Sequence, residues 1–198
     1  DDPFELVFNL RHHSEHPLRP FESIAVLGIF AKHNVTFAVN IEQLDLDGMD
    51  NYPSCPLPEQ TQYFTNLKHL SLGEVQEKST SVAEEILERA STVPSLEHLD
   101  VRRLKVFGSW GEEAFNVPKS LSRLSNLRIL NLGDSSIGAP YYDCNSSSLK
   151  TLKHLAPLHN LEELWLSSMD VEYFPEELGQ LSQLKRLILG WSFCHSRI

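Results

Sequence analysis

The 198 residues carry 17 Lys and Arg against 27 Asp and Glu, a formal net charge of −10 at pH 7. That balance argues against a nucleic-acid partner, whose phosphates demand a basic stripe, and favours a basic or neutral protein partner. The longest apolar run, Ile24 to Ala31, is far too short to span a bilayer, and the length suits one domain or one piece of a larger array.

From the N-terminus, Phe4 to Leu10 reads as a strand, with Phe4, Leu6, Phe8 and Leu10 alternating. His12 and His16 stand at i, i+4, a spacing that binds metal on a helix. Pro17 and Pro20 oppose a helix there, so a polar loop is expected. Residues 20–33 read as a helix with Phe21, Ile24, Leu27 and Ala31 on one face and Asn34 as its stop. Six copies of Leu-x-x-Leu-x-Leu follow, at Ile41 to Leu46, Leu67 to Leu72, Leu96 to Val101, Leu127 to Leu132, Leu161 to Leu166 and Leu184 to Leu189. Their starts are separated by 26, 29, 31, 34 and 23 residues. Ile24 to Ile29 also fits the motif, but the 17 residues from Ile24 to Ile41 are too few for a unit, which favours the helix.

Between copies, Ser81 to Ala90 reads as a helix with Ser81 as N-cap and Glu84 completing a capping box. Segments 50–61, 104–116 and 134–148 are rich in Gly, Pro, Ser, Asn and aromatics and read as loops. The last is an insertion that accounts for the 34-residue unit. The acidic clusters Glu84/Glu85/Glu88, Glu112/Glu113 and Glu176/Glu177 fall between strands, as expected of a solvated outer wall.

Each copy spaces its last two apolar residues at i, i+2, which sends them to one face of a strand and the residues between them to the other. One such unit cannot bury its apolar face alone. Stacked units bury a continuous core, and their strands form a parallel sheet. This six-fold pattern resembles the leucine-rich repeat superfamily over residues 41–198. Val117-Pro118-x-x-Leu121-x-x-Leu124-x-x-Leu127 and Phe174-Pro175-x-x-Leu178-x-x-Leu181-x-x-Leu184 look like the return segments of cytoplasmic and plant-type repeats. Leu152, Leu155, Leu158 and Leu161 repeat the ladder with Pro157 displaced. The family's Asn or Cys three residues after the last strand leucine is replaced by Met49, Val75, Leu104, Ser135, Met169 and Ser192. With irregular unit lengths, this resembles intracellular immune-receptor or F-box repeats.

The resemblance implies an α/β solenoid, with a curved parallel sheet on the concave face and helices and loops on the convex face. Residues 1–40 are expected to form a strand-helix cap and 41–198 a repeat domain of about six units. The chain stops nine residues after the last motif with no polar capping helix in view, so a truncated form is expected.

No nucleophile elbow, phosphate loop or dinucleotide fingerprint is present, so no catalysis and no cofactor are expected. Cys55, Cys144 and Cys194 are odd in number and far apart. They offer no zinc pair and favour a reducing, cytoplasmic compartment. Two sequons, Asn34-Val35-Thr36 and Asn145-Ser146-Ser147, point instead to secretion.

What remains is a surface. The resemblance makes the concave face, together with the 134–148 insertion, a protein-binding surface, with Asp45, Asp47, His69, His98, Asp100, Arg102, Asn131, Glu163, Trp165 and Arg186 as the candidate contact residues of the sheet. Trp165 between Ile129 and Ile188 has the composition of an aromatic anchor, and Asp45, Asp47 and Asp100 are candidates to receive a partner's Lys or Arg. The expected role is recognition within a larger receptor, adaptor or substrate receptor. A structural spacer and an enzyme-docking regulatory subunit are the alternatives.

Overall fold

The computed structural model describes residues 20–47, 57–74, 76–77, 79–108, 111–112, 116–135, 147–167 and 175–189. The expected strand at 4–10, the His12 to His16 pair and all three cysteines lie outside these residues, as does most of the 134–148 insertion.

Each motif makes one three-residue strand: β1 (Gln43–Asp45), β2 (His69–Ser71), β4 (His98–Asp100), β7 (Ile129–Asn131), β8 (Glu163–Trp165) and β9 (Arg186–Ile188). They form a six-stranded sheet in that order, every pair parallel. The register is in step throughout, so Leu44, Leu70, Leu99, Leu130, Leu164 and Leu187 form one row across the sheet. Leu46, Leu72, Val101, Leu132 and Leu166 are fully buried beside that row, as are Ile41, Leu67, Leu96, Leu127 and Leu161 at the motif starts. The fold is thus a leucine-rich-repeat solenoid, and its core is the stacked leucines. Among the described residues no helix is long and apolar enough to cross a membrane.

The helix expected at 20–33 is α1 (Pro20–Lys32), and Asn34 adopts a φ of 55° just beyond it, a left-handed stop. A short α2 (Thr36–Val39) leads into β1. Ile24, Leu27, Ala31 and Ala38 join the same core as the strand leucines, so these helices cover the first unit.

The chain returns between strands in 3-10 turns at Lys119–Arg123, Ser147–Leu155 and Glu176–Gln180. These are the three leucine ladders seen in the sequence. A fourth, Glu59–Tyr63, lies partly in the segment 50–61 that reads as a loop. Here Leu57, Thr61, Phe64 and Leu67 are buried at the steps that Val117, Leu121, Leu124 and Leu127 occupy. Thr61 hides the pattern, and its hydroxyl is buried without penalty because Oγ1 donates to the Pro58 carbonyl at 2.6 Å.

The described residues of segment 104–116 are also more ordered than a loop. β3 (Gln76–Glu77) pairs parallel with β5 (Lys105–Gly108), and β5 pairs antiparallel with β6 (Gly111–Glu112). Leu104 and Val106 anchor this second sheet, both fully buried.

α3 (Thr80–Ala90) buries Ala83, Ile86, Leu87 and Ala90. Its N-cap is Ser79, not Ser81: the Ser81 N–H donates to Ser79 Oγ at 3.3 Å. Glu84 does not complete a capping box. Its Oε1 instead accepts from the Asn116 backbone and side-chain amides, both at 2.9 Å.

Candidate functional site

The parallel register lines up the outward residues in rows. One row runs Gln43, His69, His98, Ile129, Glu163 and Arg186, and the next runs Asp45, Ser71, Asp100, Asn131, Trp165 and Ile188. Just past the strands come Asp47, Gly73, Arg102, Gly133 and Ser167. The ten candidate contact residues therefore all belong to one continuous surface.

Their chemistry is not uniform. Arg102 ties two acids together, with Nη2 donating to Asp47 Oδ2 at 2.9 Å and Nη1 to Asp100 Oδ2 at 3.2 Å. Asp47 Oδ1 also accepts from Ser71 Oγ at 2.5 Å and from the Gly73 amide at 2.7 Å. Asp100 accepts from the Arg102 amide at 2.9 Å and from Asn131 Nδ2 at 3.3 Å, and is only 8% exposed. Asn131 in turn accepts from the Gly133 amide at 3.0 Å. The result is a hydrogen-bonded lattice across four units, already satisfied from within. Asp45 differs: its carboxylate caps the Asp47 amide at 3.1 Å, and among the described residues it has no cationic partner.

His69 and His98 meet edge to face, ring centroids 5.5 Å apart. Burial, and then the neighbouring His69, hold His98 below the usual imidazole value against the opposing pull of Asp100 and Glu163. Further along, Arg186 pairs with Glu163. Trp165 is 37% exposed and lies between Asn131 on β7 and Ile188 on β9. Ile129 is its diagonal neighbour. Among the described residues no group of three or more His, Cys, Asp or Glu side chains is placed to hold a metal ion.

At the edge where the strands begin, the structure shows a feature the motif reading overlooked. Every motif is preceded by Asn, Ser or Gln: Asn40, Asn66, Ser95, Asn126, Asn160 and Gln183. Asn66 Nδ2 donates to Asn40 Oδ1 at 3.0 Å, Ser95 Oγ to the Leu67 carbonyl, Asn126 to the Pro94 carbonyl and Asn160 to the Ser125 carbonyl, the last three at 2.8 to 2.9 Å. A polar ladder thus joins the first five units, one residue before the motif instead of after it. At the position after the strand, Ser135 fills the role by donating to the Val101 carbonyl at 3.0 Å. The signal was a polar residue recurring in phase with the leucines.

A scan against protein-family models gives no match, and neither does a comparison with curated proteins. Solved structures do match. The leucine-rich-repeat ectodomain of the receptor kinase SOBIR1 from Arabidopsis thaliana is 20% identical over 69% of this chain and 63% of that one, with a TM-score of 0.41. The PEPR1–AtPEP1 complex is 18% identical over 80% and 29%, with a TM-score of 0.36. An internalin, InlF, from Listeria monocytogenes is 16% identical over 80% and 57%, with a TM-score of 0.27. The chain therefore spans less than two thirds of each of these.

Proposed function

We propose that this chain is a protein-recognition module that binds its partner on the concave sheet, as part of a larger receptor, adaptor or substrate receptor. The observation that carries the reading is Trp165, a large aromatic left 37% exposed on a rigid sheet, beside Ile188. Buried aromatic anchors with apolar neighbours and a polar surround are where interface energy concentrates. The lattice of Asp47, Asp100, Arg102 and Asn131 fixes the neighbouring surface before a partner arrives, so little ordering is lost on binding. Asp47 and Asp100 are occupied by Arg102, which leaves Asp45 as the acid open to a partner's Lys or Arg. β1 and β8 are four strands apart in the sheet, about 19 Å at the usual strand spacing. The favoured partner presents a cation and an apolar side chain about that far apart. The odd and widely spaced cysteines support an intracellular setting.

The test is affinity capture from matched extract with the wild type, Trp165→Ala, Asp45→Ala and an outer-wall control, Lys119→Ala. A partner held by the wild type and the control should lose at least about tenfold in affinity with Trp165→Ala, as a hot-spot truncation does, and less with Asp45→Ala. Retention of the same proteins by all four would place the contact elsewhere on the molecule. Asp100→Ala is a poor probe, because it unties Arg102 and Asn131 as well.

A further inference from the structure

The second residue of each motif stands just before its strand, outside the concave rows. In order these residues are Glu42, Lys68, Glu97, Arg128, Glu162 and Lys185, acid and base alternating across all six strands. Their spacing is fixed by the backbone. The amide of each donates to the carbonyl of the one before it, from Lys68 onto Glu42 through Lys185 onto Glu162, at 2.8 to 2.9 Å. Side chains pair along the row as well: Lys68 with Glu42 at 3.0 Å, Arg128 with Glu162 at 2.7 Å, and Lys185 with Glu162 at 2.8 Å. Both flanking bases hold the Glu162 carboxyl below its ordinary range, Lys185 most strongly. Glu97, at the centre, feels the charge of Arg128 but makes no side-chain hydrogen bond or close ion pair among the described residues. A cavity of about 550 Å³ runs along this edge, lined by the four central members of the row and by Asn66, Asn126 and Asn160 beside them.

A row of six alternating charges has a useful symmetry. Read backwards it is its own complement. We propose that this edge is a self-association surface, on which a second copy of the chain docks antiparallel about a two-fold axis between Glu97 and Arg128. Glu42 then faces Lys185 of the second copy, Lys68 faces its Glu162, and Glu97 faces its Arg128, each contact made twice. This is the isologous geometry of a two-fold dimer. The amide row obeys the same reversal: Asn40 meets Gln183, Asn66 meets Asn160, and Ser95 meets Asn126, donors and acceptors on both sides. At the axis Glu97, whose carboxylate makes no side-chain hydrogen bond within its own chain among the described residues, receives a guanidinium that spends Nε and Nη2 on Glu162 and keeps N–H groups to donate.

The same features disfavour other occupants. Alternating signs attract no polyanion, since binding nucleic acid requires cations in series. An extended peptide rises about 3.3 Å per residue and falls out of step with charges set one strand apart, about 4.8 Å. A second solenoid has the same step by construction of its fold. Exposed ion pairs are individually weak, and two copies of charge −10 repel at a distance. The dimer is therefore a transient, concentration-dependent one.

Sedimentation equilibrium of the whole 198-residue chain tests it with charge exchange. Glu97→Arg alone sets Arg against Arg128 of the second copy, and Arg128→Glu alone sets Glu97 against Glu, so each should self-associate at least about tenfold more weakly than wild type. Mixed in equal amounts, the two variants restore both central contacts, and association should return to within about threefold of wild type. Thermal melts confirm that each variant is folded. If either is not, Lys68→Glu and Glu162→Lys form the equivalent complementary pair. A wild type monomeric to about 1 mM, variants that associate like wild type, or a mixture that fails to recover would each overturn the proposal, leaving the row as an intramolecular brace.

Discussion

Gly28 sits inside α1, where alanine would favour the helix by about 1 kcal/mol. A Cβ at that position would fall 2.3 Å from Gln60 Cβ and 3.2 Å from the Gln60 carbonyl carbon, so α1 must move off the 59–63 turn to admit it. Overpacking of this kind costs about 1–3 kcal/mol and outweighs the propensity gain. Gly28→Ala should therefore lower the urea midpoint, and a raised midpoint would mean that α1 is free to shift. A different residue-scale constraint recurs at Glu74, Arg103 and Asp134, which adopt φ of 63°, 56° and 57° two residues after the last apolar residue of their motifs. None is glycine, and each carries the left-handed strain of the turn. Arg103 bridges the series, 2.8 Å from Glu74 and 4.0 Å from Asp134. Such pairings were not legible in the sequence. The row of outward residues followed from period two, but that Arg102 closes on Asp47, 55 positions away, follows only from stacking. The acids expected to await a partner are for that reason unequal: Asp47 and Asp100 are paired with Arg102, whereas Asp45 accepts only the Asp47 amide and has no cation among the described residues.

At the scale of elements, what the sequence showed best was what depends on leucine alone. All six strands lie where the motif places them, because burial of two alternating side chains dictates both face and register. The elements that were missed rest on substitutions of the pattern. Thr61 stands for a leucine in the fourth return turn, and β5 is masked by its Gly- and aromatic-rich surroundings. The helix boundary also moved, since Ser79 and Ser81 are both plausible caps and only Ser79 accepts the amide bond. Ser79→Ala should cost about 1 kcal/mol in a denaturant titration, the usual value of an N-cap. Ser81→Ala should cost less than half of that. Equal losses would indicate that the two hydroxyls, 2.6 Å apart, act as one unit.

Across the whole molecule, the strands pair only with the strands of adjacent units, and the Arg102–Asp47 bond reaches one unit further, so stability is close to a sum of unit and interface terms and differs from end to end. The two ends of the described sheet are unlike. On the β1 side, α1 and α2 bring Ile24, Leu27, Ala31 and Ala38 onto the core, and Leu44 is buried. On the β9 side, Leu187 and Leu189 are 45% and 49% exposed, and among the described residues β9 pairs only with β8. Leu130, between Leu99 and Leu164, is fully buried, so Leu130→Ala should cost about 2–5 kcal/mol. Leu187→Ala removes a half-exposed side chain and should cost less than about 1 kcal/mol by the area it hides. Native-state hydrogen exchange should give the same gradient, with β4 and β7 amides opening only in global unfolding and β9 amides opening earlier. The two measurements constrain each other. If Leu187→Ala costs as much as Leu130→Ala and β9 exchanges as slowly as β7, the last strand is covered in solution and the gradient does not exist. If the mutational costs differ but exchange is uniform, the solenoid unfolds as one cooperative block, and interface terms dominate over those of single units.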